Sequence, residues 1–447
     1  MKAVFLCGGI GKRMFPFIED KFLFDFLGKT LLEHQIEIAR KAGLNQFVII
    51  ANVANIEQIR QICEKHSSMK IDLVLQERPL GIADALKCAA PYLNGIIVVA
   101  NPNDVIAPAA YTSLLQAAKD GKPGSYILGY EVKEHFPGGY LDIDQDNFLK
   151  HIVEKPRPGE EPSNLVNILV HLHREAKKVL EYAGNVKTTR DDVYECALDA
   201  LVKDGHKIKI IPYTDFWAPI KYPWHIFDVV SYFLSSAQRN ISPSASISQS
   251  ATIEGNVIIG DKVRVFENAV IRGPSYIGPN TIIGNNALVR DHSHIGADCV
   301  IGFSTEVKGS YIGDGCWFHS SYVGDSIIGR NCSFGAGTVL ANFRFDEQNV
   351  SVRIGNELVN TGRDKLGAII GDNCKTGINA SVMPGLKIGP NSVVGSHVCL
   401  VKDLEPDKMV LAEPHYRTLS NRITVDEDKK RELKQKLAGD HYIDSAP

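Results

Sequence analysis

The chain has 447 residues, 44% hydrophobic and 23% charged, the balance of a globular protein of two or three domains, which excludes wholesale disorder. Its 49 Lys and Arg against 52 Asp and Glu leave a net charge of -3, so no basic excess argues for a nucleic-acid or anionic-membrane partner. Aliphatic runs such as 96–100 fall far short of the about 20 residues of a membrane span. The N-terminal apolar run, 3–7, is too short for a signal-peptide core. Nine cysteines without a C-x-x-C pair fit a reduced, cytoplasmic protein.

The first 240 or so residues alternate apolar, strand-like runs at 3–6, 47–51, 71–75 and 96–100 with helix-like segments at 31–42, 56–64, 82–90 and 111–118. That alternation predicts βαβ units, an α/β Rossmann-like domain with a mostly parallel sheet and helices on both faces. Ligands bind such sheets at the carboxyl ends of the strands. The first such loop reads Leu6-Cys7-Gly8-Gly9-Ile10-Gly11-Lys12-Arg13-Met14. Its three glycines allow backbone to approach a phosphate, and Lys12 and Arg13 add positive charge. It is neither a Walker loop nor a G-x-G-x-x-G fingerprint.

From Ile241 onward aliphatic residues recur every six positions: Ile247, Ile253, Ile259, Val265, Ile271, Ile277, Ile283, Val289, Ile295, Ile301 and Val307. A second series runs Ile370, Val382, Ile388, Val394 and Leu400, with Thr376 in the gap. Gly, Asn and Asp follow the aliphatic position, as in Ile277-Gly278-Pro279-Asn280. This pattern resembles the hexapeptide repeat of left-handed parallel β-helices, in which one inward aliphatic per short strand fills a narrow prism of about seven to eight coils. The period fails between Leu340 and Ile370, where a polar excursion, 342–365, should need a neighbouring surface to order it. The tail ends in a charged helix, with Asp426/Lys430 and Glu427/Arg431 spaced as i,i+4 pairs. The expected division is 1–238, 239–412 and a tail, 413–447.

Together with Lys21 and the run Gly28-Lys29-Thr30-Leu31-Leu32-Glu33, the glycine loop resembles the opening signature of the sugar-1-phosphate nucleotidylyltransferases, A-G-x-G-x-R-M, P-K and G-K-P-L-L-E. The resemblance covers the N-terminal half. It implies that Leu6, Cys7, Gly8 and Gly9 hold a nucleoside triphosphate and that Arg13 and Lys21 neutralise its phosphates. It also implies that Gln76, Gly81 and Ile82 read a pyrimidine base, so that the donor is UTP or dTTP. Asp104 matches the Mg²⁺-binding aspartate, and Gly139, Glu154 and Asn167 match positions that contact the sugar and its phosphate. Asp20 replaces the proline before the lysine. Two further departures stand out: N-x-G-I-Y reads Asn167-Ile168-Leu169-Val170, which loses a close-packed glycine, and W-x-D-I-G-x-P-W reads Trp217-Ala218-Pro219-Ile220-Lys221-Tyr222-Pro223-Trp224. The aspartate that is the family's second metal ligand is therefore Pro219, and Lys221 is the cation nearest to hand for offsetting phosphate charge.

The segments His319-Ser320-Ser321-Tyr322, Phe334-Gly335-Ala336-Gly337-Thr338 and Leu340-Ala341-Asn342-Phe343-Arg344 resemble the acetyltransferase half of the archaeal-type bifunctional sugar-phosphate enzymes. The resemblance continues through 365–371 and 376–379. It implies acyl transfer from acetyl-CoA to an amino-sugar 1-phosphate, with His319 as the base. Tyr322 and Asn342 would hold the substrate, Arg290 and Lys308 its phosphate, and Ser333 and Ala336 would lie toward CoA. Gln348 replaces a family lysine, and Ser333 a family asparagine. The resemblance implies a homotrimer through the β-helix, small-molecule partners and a place in UDP-N-acetylglucosamine-type biosynthesis. Two alternatives stand beside it: only one domain is active, or the chain is a non-catalytic sensing or assembly subunit. The histidine pairs His171/His173 and His292/His294 lack a third metal ligand in the sequence.

Overall fold

The computed structural model describes residues 1–9, 11–188, 192–413 and 415–439. Met1–Leu411 forms one compact unit and the chain from Ala412 a second. In the first unit the parallel core of the sheet is Ile97–Ala100, Lys2–Cys7, Gln46–Asn52 and Lys70–Gln76, in that order. Leu165–His173 adds antiparallel to Ile97–Ala100, and the hairpin Gly139–Ile143/Leu149–Glu154 extends that edge. The sheet is thus mostly parallel where the sequence alternation is regular and antiparallel beyond it. Helices α1 (Leu31–Lys41), α2 (Ile56–Lys65), α3 (Ile82–Cys88) and α4 (Ala109–Ala117) form where the sequence reading expects them. Two further helices, α5 (Ala176–Asn185) and α6 (Val193–Lys203), follow Leu165–His173. From Lys2–Cys7 the chain steps to one side, to Gln46–Asn52, and later to the other, to Ile97–Ala100. That reversal opens a crevice at the carboxyl ends of those two strands.

Part of the opening signature is architectural. Thr30 caps α1 through a reciprocal capping box with Glu33, so the T-x-x-E spacing within Gly28–Glu33 fixes a helix start. Gly28 has φ +81°, and a Cβ there would lie 2.8 Å from the Tyr276 hydroxyl.

From Asn240 the chain winds into three parallel sheets of eight, nine and eight short strands, a triangular β-helix of eight complete coils and one further strand. At about 4.8 Å per coil it is roughly 38 Å long. The aliphatic series lines its axis, with Ile259 to Leu400 buried and Ile241, Ile247 and Ile253 half-buried, because the first coil has a neighbour on one side only. Corners are turned by Asn268, Asn280, Asn286, Asn331, Asn373, Asn379 and Asn391 at φ of +51° to +61°, the left-handed conformation that Asn tolerates better than other side chains with a Cβ. The stack does not stop at Val307. It continues through Ile312, Phe318, Val323, Ile328, Phe334 and Leu340, but three steps shorten to five residues, which hides it from a six-residue period. Cys299, Cys316, Cys332 and Cys374 form a buried column of thiols in this core, and Cys399 is exposed.

The two halves of this unit share a core. Phe17, Phe24, Phe26, Trp224 and Phe233 pack with Tyr276, Tyr311, Ile327 and Ile369. His294 is stacked between Tyr276 and Tyr311 on adjacent coils, with ring centroids 4.9 and 4.8 Å away. Its Nε2 accepts the Leu27 N–H at 3.1 Å, and burial pushes it down to about 3, so it is a neutral wedge in the joint. The excursion forms a hairpin, Ser351–Ile354 with Glu357–Asn360. Its ordering surface lies in the same chain. Val350 and Val352 are buried in the joint, and Arg363 pairs with Asp228 of α7 (Ile226–Ser236) at 2.6 Å. In the tail, α8 (Glu427–Gly439) forms, but its ion pairs are i,i+3, Glu427–Lys430 and Asp428–Arg431, because Asp426 accepts the Lys429 N–H at the helix start. Residues 414 and 440–447 of the expected tail lie outside the described range.

Candidate functional site

The crevice at the switch point is a cleft of about 590 Å³, lined among others by Leu6, Gly8, Gly9, Lys21, Gln76, Gly81, Ile82, Asn101, Asn103 and Glu154. The glycine loop runs along one wall. A Cβ on Gly8 would fall 2.2 Å from Gln76 Oε1, so any larger residue there would have to displace the Gln76 amide. Gln76 is nearly buried, its amide donating to the Gly81 carbonyl (3.2 Å) and to Asp84 (2.8 Å). Gly81, at φ +91°, precedes α3. The loop is fastened from behind by a pair the sequence reading missed. Asn55 donates to the Cys7 carbonyl (2.9 Å) and to Asp20 (2.6 Å), and Asn52 donates to the Gly8 carbonyl (3.3 Å). Asp20, the departure from the P-K pattern, is thereby a loop fastener. Cys7 is fully buried, and burial raises its thiol well above the ordinary range, so its backbone carries whatever role it has.

Lys21 lines the far side of the cleft, and the charge of Asp104, behind that wall, acts on it. Asp104 opens the strand Asp104–Ile106, which pairs antiparallel with Trp217–Pro219 so that Pro219 lies directly across from it. Lys21 Nζ donates to the Ile220 carbonyl at 2.6 Å. Burial pushes Asp104 up to about 6, against the pull of the Lys221 and Lys21 ammonium groups. Burial also lowers Lys221, to about 8, with Asp104 holding it up. Arg13 is exposed, and its charge is felt at both lysines. Among the described residues no group of three or more His, Cys, Asp or Glu is arranged to hold a metal ion. Asp104 offers one hard carboxylate oxygen donor, which suits an Mg²⁺ that takes its remaining oxygens from nucleotide phosphates and water rather than a caged resident ion.

Gly139, Glu154 and Asn167 also meet. Gly139 pairs with Glu154 across the hairpin, and a Cβ on it would lie 2.8 Å from Glu154 Oε2 and 3.6 Å from Asn167 Cβ. Asn167 Oδ1 is hydrogen-bonded to His171 at 2.8 Å. His171 and His173 both bond the Tyr194 hydroxyl (2.8 and 2.7 Å), and His173 bonds Ser125 (2.8 Å). Their nitrogens are thus occupied, and burial lowers both, which makes them a neutral buried network rather than metal ligands. Tyr194, which lines the cleft and joins this network, had no sequence signal.

On the β-helix two groups form. Arg290 and Lys308 are register neighbours on one face, with Arg290 bound to Glu306 (2.7 Å) and Asp291, and Lys308 to Asp325 (2.8 Å). Asn342 also donates to Asp325, and a Cβ on Gly324 would touch both Asn342 and Tyr322. His319, Ser333 and Ala336 lie on adjacent coils, the His319 N–H donating to the Phe334 carbonyl at 3.1 Å. His319 is exposed, and among the described residues its ring has no hydrogen-bond partner. Exposed Phe303, Trp317 and Ile378 lie on the same coil edges. His319 stands at the corner that leads into Tyr322–Gly324, the strand that continues the sheet of Arg290 and Lys308. Gln348 is exposed and donates to the Asp346 carbonyl.

No helix among the described residues is long and apolar enough to cross a membrane. The nucleotidyl transferase family model matches residues 2–218, and the bacterial transferase hexapeptide model (six repeats) matches 274–309 and 367–402. The chain is 40% identical over 422 residues to the bifunctional protein GlmU of Methanococcus maripaludis (strain C7), covering 92% of this chain and 97% of the relative. It is 34% identical over 424 residues to the protein of the same name from Methanococcus vannielii, with the same coverage. Over 411 residues it is 31% identical to the bifunctional sugar-1-phosphate nucleotidylyltransferase/acetyltransferase of Sulfurisphaera tokodaii, covering 89% of this chain and 98% of that one.

Proposed function

The chain belongs to the family of bifunctional sugar-1-phosphate nucleotidylyltransferases/acetyltransferases, the GlmU type found in archaea, and we propose that it transfers UMP or dTMP to a sugar 1-phosphate and acetylates an amino-sugar 1-phosphate. The observation that carries the first activity is the meeting of the glycine loop, Gln76, Gly81, Lys21 and Glu154 around one cleft, with Asp104 behind it. In this reading Gln76 and Gly81 select a pyrimidine, giving UTP or dTTP as donor. An oxygen of the sugar phosphate attacks the α-phosphorus, and the bond to the β-phosphate breaks with release of pyrophosphate. The chain contributes position and charge. Lys21 and Arg13 offset the triphosphate, while Gly139, Glu154 and Asn167 place the sugar. Mg²⁺, held by Asp104 and the nucleotide, would add charge stabilisation at the phosphates.

In the second activity His319 takes a proton from the acceptor amine as its nitrogen attacks the acetyl carbonyl carbon of acetyl-CoA, and the C–S bond breaks as CoA leaves as its thiolate and takes up a proton. Arg290, Lys308, Tyr322 and Asn342 hold the amino-sugar phosphate, and Ser333 and Ala336 border CoA. The exposed Phe303, Trp317 and Ile378 on the His319 edge favour a homotrimer in which a neighbour covers that edge and completes each site. The parts 1–238 and 239–412 carry one activity each in this reading, and nine free thiols suit a cytoplasmic enzyme. Pyrophosphate release measured across the four common ribonucleoside triphosphates, dTTP and a set of sugar 1-phosphates tests the donor assignment. Release only with a purine triphosphate would overturn the pyrimidine reading, and none with any pair would leave acetyl transfer as the chain's sole activity.

A further inference from the structure

We propose that Lys221 is a phosphate-binding residue of the donor site, a fixed cation that supplies positive charge where a second metal-ligating carboxylate is missing. The inference rests on the nucleotidyl-transfer reading above and deepens it.

Pro219 is the direct cross-strand partner of Asp104, so a carboxylate at 219 would share the Asp104 face of the strand pair, and proline has no side-chain oxygen to offer there. Beyond it, the Ile220 N–H is bonded to the Asn103 carbonyl (3.0 Å), and the Ile220 carbonyl accepts Lys21 Nζ (2.6 Å). The backbone leading into Lys221 is thus pinned to two residues of the cleft wall. The Lys221 side chain reaches the loop before Gly139. Its Nζ donates to the Pro137 carbonyl at 2.7 Å and stands 3.4 Å from the centroid of the Phe136 ring. The strand pair thus roots Lys221 beside Asp104, and its ammonium ends against the segment that leads into the sugar-side hairpin.

The Lys221 ammonium has three donors, and one is taken by the Pro137 carbonyl. Among the described residues no carboxylate lies within ion-pair distance of it. A half-buried cation with donors left over can take an anion, and in the proposed reaction the anions that arrive beside it are phosphate oxygens. Lys221 exchanges no proton in the step. It holds phosphate oxygens while the new P–O bond forms and pyrophosphate departs, so less of the charge is left for a metal ion to balance.

Two phosphates could satisfy it, and the test separates them. The full chain and its K221M and K221R variants are titrated calorimetrically in EDTA, with UTP and dTTP in one arm and with glucose 1-phosphate and N-acetylglucosamine 1-phosphate in the other. K221M keeps the side-chain length without the charge, and K221R keeps the charge. The expected result is metal-free binding by the wild type that K221M weakens by about tenfold or more in at least one arm, with K221R retaining most of it. Loss in the first arm assigns Lys221 to the triphosphate, and loss in the second assigns it to the sugar phosphate. Unchanged affinity of K221M in both arms overturns the proposal and leaves nucleotidyl transfer intact. Equal loss in K221M and K221R also overturns it, since the residue would then act by tying the 136–138 segment. A wild type that binds no triphosphate even with Mg²⁺ present overturns the nucleotidyl-transfer reading itself.

Discussion

Arg330, on the β-helix, reaches across the joint to Glu19 at 2.9 Å, two residues before Lys21, with Asp372 3.5 Å away. Burial pushes Glu19 up to about 7, with the Arg330 guanidinium the chief group holding it down. Removing that guanidinium in R330M should raise Glu19 further, because an opposite charge at this distance is worth about one to two pH units. Near pH 6 the folded protein keeps Glu19 protonated with or without Arg330, so R330M should cost only its more exposed contact with Asp372, about 0–1 kcal/mol. Above pH 7 the wild type ionises Glu19 against Arg330, whereas the variant must ionise it unpaired or retain a proton that the unfolded chain releases. Stability is then lost as pH rises from about 7 to 9, at about 1.4 kcal/mol per pH unit by which Glu19 has risen, about 1.4–2.7 kcal/mol in all. Denaturant midpoints near pH 6 and near pH 9 read this directly. Equal destabilisation at both values, or a full pH-dependent effect of R330M in an E19Q background, would refute the pairing as the cause. The same contact predicts that the N-terminal half expressed alone is poorly behaved, since it would expose Phe17, Phe24, Trp224 and Phe233.

Other expectations follow from the two sites. D104A should lower Mg²⁺-dependent pyrophosphate release by about 10²-fold or more, and a variant with wild-type release would remove Asp104 from the site. H319A should cut acetyl transfer to glucosamine 1-phosphate or galactosamine 1-phosphate by about 10²–10⁴-fold and leave nucleotidyl transfer unchanged, and undiminished thioester consumption would rule out His319 as the base. Light scattering should give about three times the 49.1 kDa chain mass, and a monomer that acetylates at full rate would dispose of the shared site.

Legibility followed the range of the interactions. The aliphatic period spelled out most of the β-helix because each coil is a local unit. It lost the thread at Val307, where five-residue steps keep the core residues inward while breaking the count. The α/β half was readable from strand and helix alternation, and the glycine loop from its position after the first strand. The joint was not readable, since Phe24 and Phe26 meet Tyr311 across more than half the chain and nothing local marks such partners. For the same reason the excursion's ordering surface, sought in a neighbour, proved to be the chain's own α7. At the donor site the metal-side departure at Pro219 was plain in the sequence. What Lys221 does with the vacated position depends on the register that sets Pro219 opposite Asp104 and on the reach to Phe136, both tertiary facts. Asn55 was missed because its chemistry, two hydrogen bonds behind the loop, exists only once Gln46–Asn52 lies beside Lys2–Cys7.

The most direct measurement of the central claim is product mass from one reaction mixture containing the full chain, Mg²⁺, acetyl-CoA, glucosamine 1-phosphate and UTP, with dTTP and galactosamine 1-phosphate in parallel. The account predicts free CoA, pyrophosphate and an N-acetylated sugar nucleotide in at least one mixture. Release of neither CoA nor pyrophosphate in any of them would contradict it.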